Sequence, residues 1–345
     1  MPARRHVLSW LAGCGVAAVL PPLLTPDEAR AAGPLALAHR VRFGAHVEGM
    51  VADPAALGRW EQQAGRRSAI ASYFYGYGDE FPAAVERAFA DDGRRDVLLS
   101  WDMGPTRFSE WTAGAHDDYL LRIAAHARSY PYDVHVRPWP EMNGDWQDFQ
   151  PTATGTRPRG GTPAEFVAAW RHVTTTVRRA GGTNVKWVFN PTADTYAETT
   201  DVRTIWPGAA HVDVLGLDGY NWGDGGRLEW REFEDIFAEQ YGRLTALHPS
   251  APVWICEYGC KEPGVDDGAP ADPRHTKAQW LRGMLTSRRF ERLEAVVSFE
   301  VRKERDWRTT SSPEAMQVWR ESQLTPAPLA TVPRRSRSVA VRGPR

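Results

Sequence analysis

Val134-His135-Val136-Arg137-Pro138-Trp139-Pro140-Glu141-Met142-Asn143-Gly144-Asp145-Trp146 runs from a short apolar strand directly into a turn that gathers an acid, a carboxamide, a glycine and two tryptophans. The next segment opens a helix: Thr162 stands before Pro163, Glu165 completes a capping box, and Gly181-Gly182 follows the last turn. A strand that ends on polar chemistry and hands over to a helix is the repeating unit of a parallel α/β fold.

Outward from that unit, eight apolar runs alternate with helical patterns. They are Val41 to His46, Ala69 to Tyr75, Val97 to Trp101, Val134 to Pro138, Val185 to Asn190, Val212 to Leu217, Val253 to Glu257 and Val296 to Phe299. Their nearly continuous apolar character suits strands covered on both faces. Asp53-Pro54 opens a helix closed by Gly65, Phe81-Pro82 opens one ending near Gly93, Leu228 to His248 is stopped by Pro249, and Ser312-Pro313 opens the last, through Gln323. The order predicts a single (β/α)8 TIM barrel over residues 32–324. In such barrels the catalytic groups stand at the carboxyl ends of strands. His46, Glu48, Asp102, Glu141, Asp218, Tyr220, Glu257 and Glu300 all fall there.

The termini read differently. Arg4-Arg5 followed by an interrupted apolar run to Leu24, with Ala29-Arg30-Ala31 offering a cleavage site, predicts a twin-arginine export signal over residues 1–31 and a secreted protein. Pro21, Pro22 and the glycines argue against a stable membrane span, while Leu11-Ala12-Gly13-Cys14 matches a lipoprotein box and leaves lipid anchoring at Cys14 as the alternative. After Gln323 the chain turns to Pro, Ser and Arg without acid, so residues 325–345 read as a disordered basic tail. The formal charge of -1 gives no basic footprint for nucleic acid. Cys256 and Cys260 would be the thiols remaining after export. An extended strand holds them about 13 Å apart, so a disulfide requires the chain to fold back at Gly259. Zinc lacks a second Cys/His pair nearby.

Fifteen tryptophans are a heavy load for 345 residues, and flat indole faces suit sugar rings as well as cores. Glu141 and Glu257 end the fourth and seventh strands, and two carboxyls converging on one bond are what glycoside hydrolysis requires. A separation of ~5.5 Å would mean retention of configuration and a wider one inversion. Glu141, desolvated by Trp139, Met142 and Trp146, is expected to be protonated, and Glu257 ionised, with Tyr220 orienting it. Asn143 either fixes Glu141 or meets a sugar hydroxyl. Trp146, Trp222, Trp307 and Trp101 are the candidate sugar platforms.

The stretch from Arg137 to Trp146 resembles the acid motif of glycoside hydrolase family 26, the β-mannanase family of retaining clan A barrels, whose pattern is Arg-Pro-x-His-Glu-x-Asn-Gly-x-Trp. The resemblance covers Val41 to Gln323. It implies Glu141 as acid/base, Trp146 as a sugar-stacking wall, Glu257 as nucleophile and Tyr220 as its hydrogen-bond partner. Pro140 departs from the pattern, which has a histidine there that helps hold the sugar. The expectation is a retaining endo-β-glycanase on β-1,4-mannan, with β-glucan and β-1,3-xylan as alternatives within the family. No cofactor or metal is expected, polysaccharide is the expected partner, and the expected state is a monomer. A non-catalytic polysaccharide-binding barrel and a transglycosylase are the rival readings.

Overall fold

A computed structural model describes residues 41–81, 95–223, 229–262 and 274–321. The export signal, Cys14, the helix expected after Phe81-Pro82 and the basic tail lie outside the described residues. Eight strands form a closed parallel barrel in chain order. They are β1 (Arg42–Val47), β2 (Ile70–Tyr75), β3 (Asp96–Trp101), β4 (Val134–Pro138), β5 (Val185–Phe189), β6 (Val214–Asn221), β7 (Val253–Cys260) and β8 (Leu293–Glu300). Among the described residues the helices are α1 (Ala55–Ala64), α2 (Phe108–Thr112), α3 (Asp117–Ser129), α4 (Pro163–Arg179), α5 (Phe233–Leu247), α6 (Lys277–Thr286) and α7 (Pro313–Glu321).

The helix boundaries follow local chemistry. At α4 the Thr162 hydroxyl accepts from the Glu165 backbone N–H while the Glu165 carboxylate accepts from the Thr162 N–H, satisfying two orphan donors together. α1 ends on Gly65 in the left-handed region, φ 65°, where a side chain would be strained. The helix expected from Leu228 instead starts at Phe233, whose ring tilts against Phe237 one turn on and packs edge-on to Trp280 and Phe290.

Strand parity divides the interior. Val97, Leu99 and Trp101 of β3 join the large apolar cluster between sheet and helices, whereas Leu98 points into the barrel with Ile70, Val188, Val214, Trp254, Cys256, Ala295 and Val297. In the barrel the Arg42 guanidinium lies 5.0 Å from the Trp254 ring centre and pairs with Asp96. His135 tilts on the same ring at 4.3 Å. Nearer the carboxyl ends of the strands the inward residues become polar, which makes the site.

β6 and β7 both run past their expected ends, because Asp218-Gly219-Tyr220-Asn221 and Tyr258-Gly259-Cys260 read as turn but pair as sheet. Tyr220 stands opposite Gly259 and Asn221 opposite Cys260. The fold-back at Gly259 that a disulfide needed does not occur. Cys256 lies in the barrel interior and Cys260 in the outer cluster, and both thiols are free.

Candidate active site

The register of β7 contains one extra residue against both neighbours. Leu217 and Asp218 of β6 face Ile255 and Glu257, and Val296 and Ser298 of β8 face Ile255 and Tyr258. A bulge at Cys256-Glu257 therefore interrupts the alternation, so that Glu257 follows Cys256 to the inner side and Tyr258 returns to the outer one. The Glu257 carboxylate is nearly buried and held from two sides. Its Oε1 accepts from Arg137 Nη2, and its Oε2 from the Tyr220 hydroxyl.

Arg137 is fully buried and is the hub of the site. Its Nη1 donates to Asp218 Oδ2 at 2.6 Å and its Nε to Ser100 Oγ at 2.6 Å, with Asn190 Nδ2 completing Asp218 at 2.9 Å. Burial opposes the guanidinium's charge, but Asp218 and Glu257 outweigh it and hold the group above its ordinary range. Burial pushes Asp218 up, against the pull of Arg137. One cation facing two carboxylates leaves the cluster short of positive charge.

Glu141 receives that excess. Two non-glycine residues of its turn, Trp139 and Glu141, adopt left-handed backbone, φ 48° and 55°, with Pro140 between them. The Glu141 N–H donates to the Asn190 carbonyl at 2.8 Å, fastening the turn to the end of β5. The carboxyl is raised to about 7, first by desolvation and then by the charge of Glu257, against the opposing hydrogen bond from Trp146 Nε1 to Oε2 at 3.0 Å. Trp146 is 48% exposed and its six-membered ring lies over Gly144, where a Cβ would come within 2.6 Å of Cζ2. Gln147 Nε2 approaches the same carboxyl oxygen at 3.4 Å.

The other expected residues divide between lining and support. Tyr220 and Trp222 remain near Glu257, whereas Trp307 is corrected from sugar platform to support: it is buried behind them, 4.8 Å from Tyr220 and 4.9 Å from Trp222 between ring centres. Gly259 permits this packing, since a Cβ there would meet Tyr220 and Trp307 at 3.0 and 3.1 Å. Trp101 is corrected from sugar platform to core: it is wholly buried on the outward face, packed on Phe81, Trp111 and Tyr119. Of the two readings of Asn143, contact with a sugar hydroxyl is corrected and the fixing of the Glu141 turn stands. The side chain is buried, accepting from the Thr192 N–H at 2.8 Å and donating to the Thr192 carbonyl, so it ties the Glu141 turn to the loop after β5. Trp139 packs outward on Phe108 and Phe166 rather than covering Glu141. Glu300 is spent on Thr309 and Ser298.

Ser100, Asn190 and Gln147 were not among the expected site residues, and Arg137 stood only as the first residue of the motif, with no role of its own. A charged residue inside an apolar strand run was the available signal for Arg137. His46, noted at its strand end, lines the mouth between Phe74 and Phe299, its Nδ1 on the Ser72 carbonyl at 2.9 Å. Burial lowers its pKa, so the ring is held neutral with Nδ1 as donor. Among the described residues no three His, Cys, Asp or Glu side chains are grouped to hold a metal ion, and no helix is long and apolar enough to cross a membrane.

Comparison with known proteins adds an independent line. The model of glycosyl hydrolase family 26 matches residues 121–250, the segment that contains the turn of Glu141. Endoglucanase H of Acetivibrio thermocellus is 31% identical over 289 residues, 82% of this chain. Mannan endo-1,4-beta-mannosidase A and B of Caldalkalibacillus mannanilyticus is 32% identical over 133 residues, 37% of this chain. The chain spans 30% and 22% of the length of these two relatives. Among solved structures, the catalytic domain of the endo-β-1,4-mannanase of Bacillus sp. JAMB-750 aligns with a TM-score of 0.58 at 15% identity, over 83% of this chain and 86% of that one, a likeness of fold. Motif, barrel and relatives agree, and the chain belongs to glycosyl hydrolase family 26.

Proposed function

We propose that the protein is an endo-β-glycanase that cleaves a β-linked polysaccharide with retention of configuration, Glu141 serving as acid/base and Glu257 as nucleophile. The observation that carries the reading is the contrast between the two carboxyls. Glu141, raised to about 7, carries its proton in a large share of molecules near neutral pH, while Glu257 accepts from Arg137 and Tyr220 and has its lone pairs oriented by them.

In the first step a Glu257 oxygen bonds to the anomeric carbon as the glycosidic C–O bond breaks, and the Glu141 proton passes to the departing oxygen. In the second, Glu141 takes a proton from water, the water oxygen bonds to the anomeric carbon, and the ester to Glu257 breaks. Both groups end as they began. Trp146 supports the acid in both roles, because its N–H on Glu141 Oε2 leaves the other oxygen to carry the proton.

β-1,4-Mannan is the first substrate to test. A mixed-linkage β-glucan is the second reading, favoured by two observations: Pro140 has no side-chain donor beside the acid, and the relative matched over 82% of the chain is an endoglucanase. Export by the twin-arginine leader fits either polymer, which a cell meets outside. Incubation with a panel of β-glycans, followed by product anomer analysis, tests the reading. Release of oligosaccharides with retained configuration is expected. Binding without release from any glycan would make the protein a polysaccharide-binding barrel, and inverted products would reassign Glu257.

A further inference from the structure

The segment after β8, Val301 to Arg308, carries four cations, Arg302, Lys303, Arg305 and Arg308, against the two acids Glu304 and Asp306. Lys303 pairs with Glu304 at 2.8 Å and Arg308 with Asp306 at 2.6 Å. Arg305 has no carboxylate partner among the described residues. Its Nη1 donates to the Glu304 carbonyl at 2.9 Å, its Nε is buried without an acceptor, and its guanidinium lies 5.9 Å from the centre of the Trp222 ring.

Trp222 is no isolated aromatic. It packs edge-on to Trp307, which in turn tilts against Tyr220, whose hydroxyl holds Glu257. A cation with unspent donors thus stands at the end of an aromatic wall that begins at the nucleophile. Lys303 lies within electrostatic reach of the same centre. Its ammonium is raised foremost by Glu304, with Glu257 and Glu141 contributing. A guanidinium over a ring face, anchored at one nitrogen, presents its remaining N–H groups as a fork suited to a carboxylate.

We propose that Arg305, seated on Trp222 and flanked by Lys303, receives a carboxylate substituent of the polysaccharide on the nucleophile's side of the cleft. The proposal rests on the hydrolase reading and adds charge to the substrate class: a β-glycan decorated with uronate or other carboxyl groups rather than a wholly neutral one.

The test uses backbone-matched pairs: carboxymethyl against hydroxyethyl cellulose, carboxymethyl guar against guar, and glucuronoxylan against arabinoxylan. Binding is measured by calorimetry in a Glu141→Gln background so that turnover does not intrude. The acidic member of a pair should bind about fivefold tighter at low ionic strength, with the ratio falling towards one in about 0.5 M salt. Arg305→Gln should bring the ratio to about one, Arg305→Lys should keep part of it, and Arg203→Gln, an exposed arginine paired with Asp201, should leave it unchanged. Equal affinity for both members of every pair in the parent overturns the proposal. So does an Arg305→Gln variant that weakens both members equally, since Arg305 then only braces Trp222. Absence of turnover by the wild-type protein on every backbone sinks the hydrolase reading instead, and the binding ratio is read without it.

Discussion

At the scale of single residues the site is a charge balance around Arg137. Replacing it by Met leaves Asp218 and Glu257 buried without their cation, which should destabilise the protein by about 3–5 kcal/mol in urea unfolding. Glu257→Ala should abolish turnover. Glu141→Ala should slow it on polysaccharide but spare aryl glycosides with good leaving groups, because only poor leaving groups need protonation. Equal loss on both substrate types would count against the assigned roles. With Glu141 as the proposed acid and its carboxyl raised to about 7, kcat/KM should fall as pH rises through 7, and Trp146→Phe should move that limb upward by removing the hydrogen bond that lowers it. A pH–rate profile of the two proteins reads both effects.

At the scale of elements, the acid's turn is held by its neighbours more than by its own sequence. Asn143 fixes it to Thr192, the Asn190 carbonyl accepts from Glu141, and three arginines pin the long segment before α4. Arg107 reaches the carbonyls of Gly155 and Arg157, Arg157 those of Asp145 and the Gln150 side chain, and Arg159 pairs with Asp102 and Asp148. Arg157→Ala frees the carbonyl beside Trp146, so activity should fall severalfold while thermal stability changes little, as expected for a partly exposed arginine. Thr162→Ala, by contrast, removes a cap and should cost about 1 kcal/mol of stability with kcat retained. Comparing melting temperature with kcat for the two variants separates loop placement from helix capping. The capping box itself was readable in the sequence, since Thr162, Pro163 and Glu165 act within one turn. The arginine clasp was not, since its partners lie 7 to 57 residues away.

For the whole molecule, the burial that tunes the site also sets how stability responds to pH. A carboxyl whose folded pKa lies above its unfolded value binds its proton more tightly when folded, so Glu141 removes stability as pH rises from about 4.5 to about 7. His46 and His135, lowered by burial, act oppositely and remove stability as pH falls below about 6.5. Glu141→Gln deletes only the first effect. It should raise the melting temperature at pH 8 and leave it nearly unchanged at pH 4.5, with a full gain of up to about 3 kcal/mol. A larger gain at the acidic end would contradict the raised pKa.

Eight apolar runs, the capped helix ends at Gly65 and Thr162 and the chemistry of the Glu141 turn were determined by the sequence, because strand pattern, capping and turn residues act over a few neighbours. Where each side chain points at the strand ends was a matter for the tertiary structure. Parity along β3 turns Trp101 outward while Ser100 faces Arg137, a distinction that the apolar run alone does not make once both faces are buried. In β7, strict alternation from Val253 would have put Glu257 on the outer face, with Cys256 and Cys260 together on the inner one. The extra residue accommodated between β6 and β8 reverses this, sending the carboxylate to Arg137 and the two thiols to opposite faces. Register between strands is a long-range pairing, fixed only when the barrel closes, and that closure is what brings Glu257 into the site.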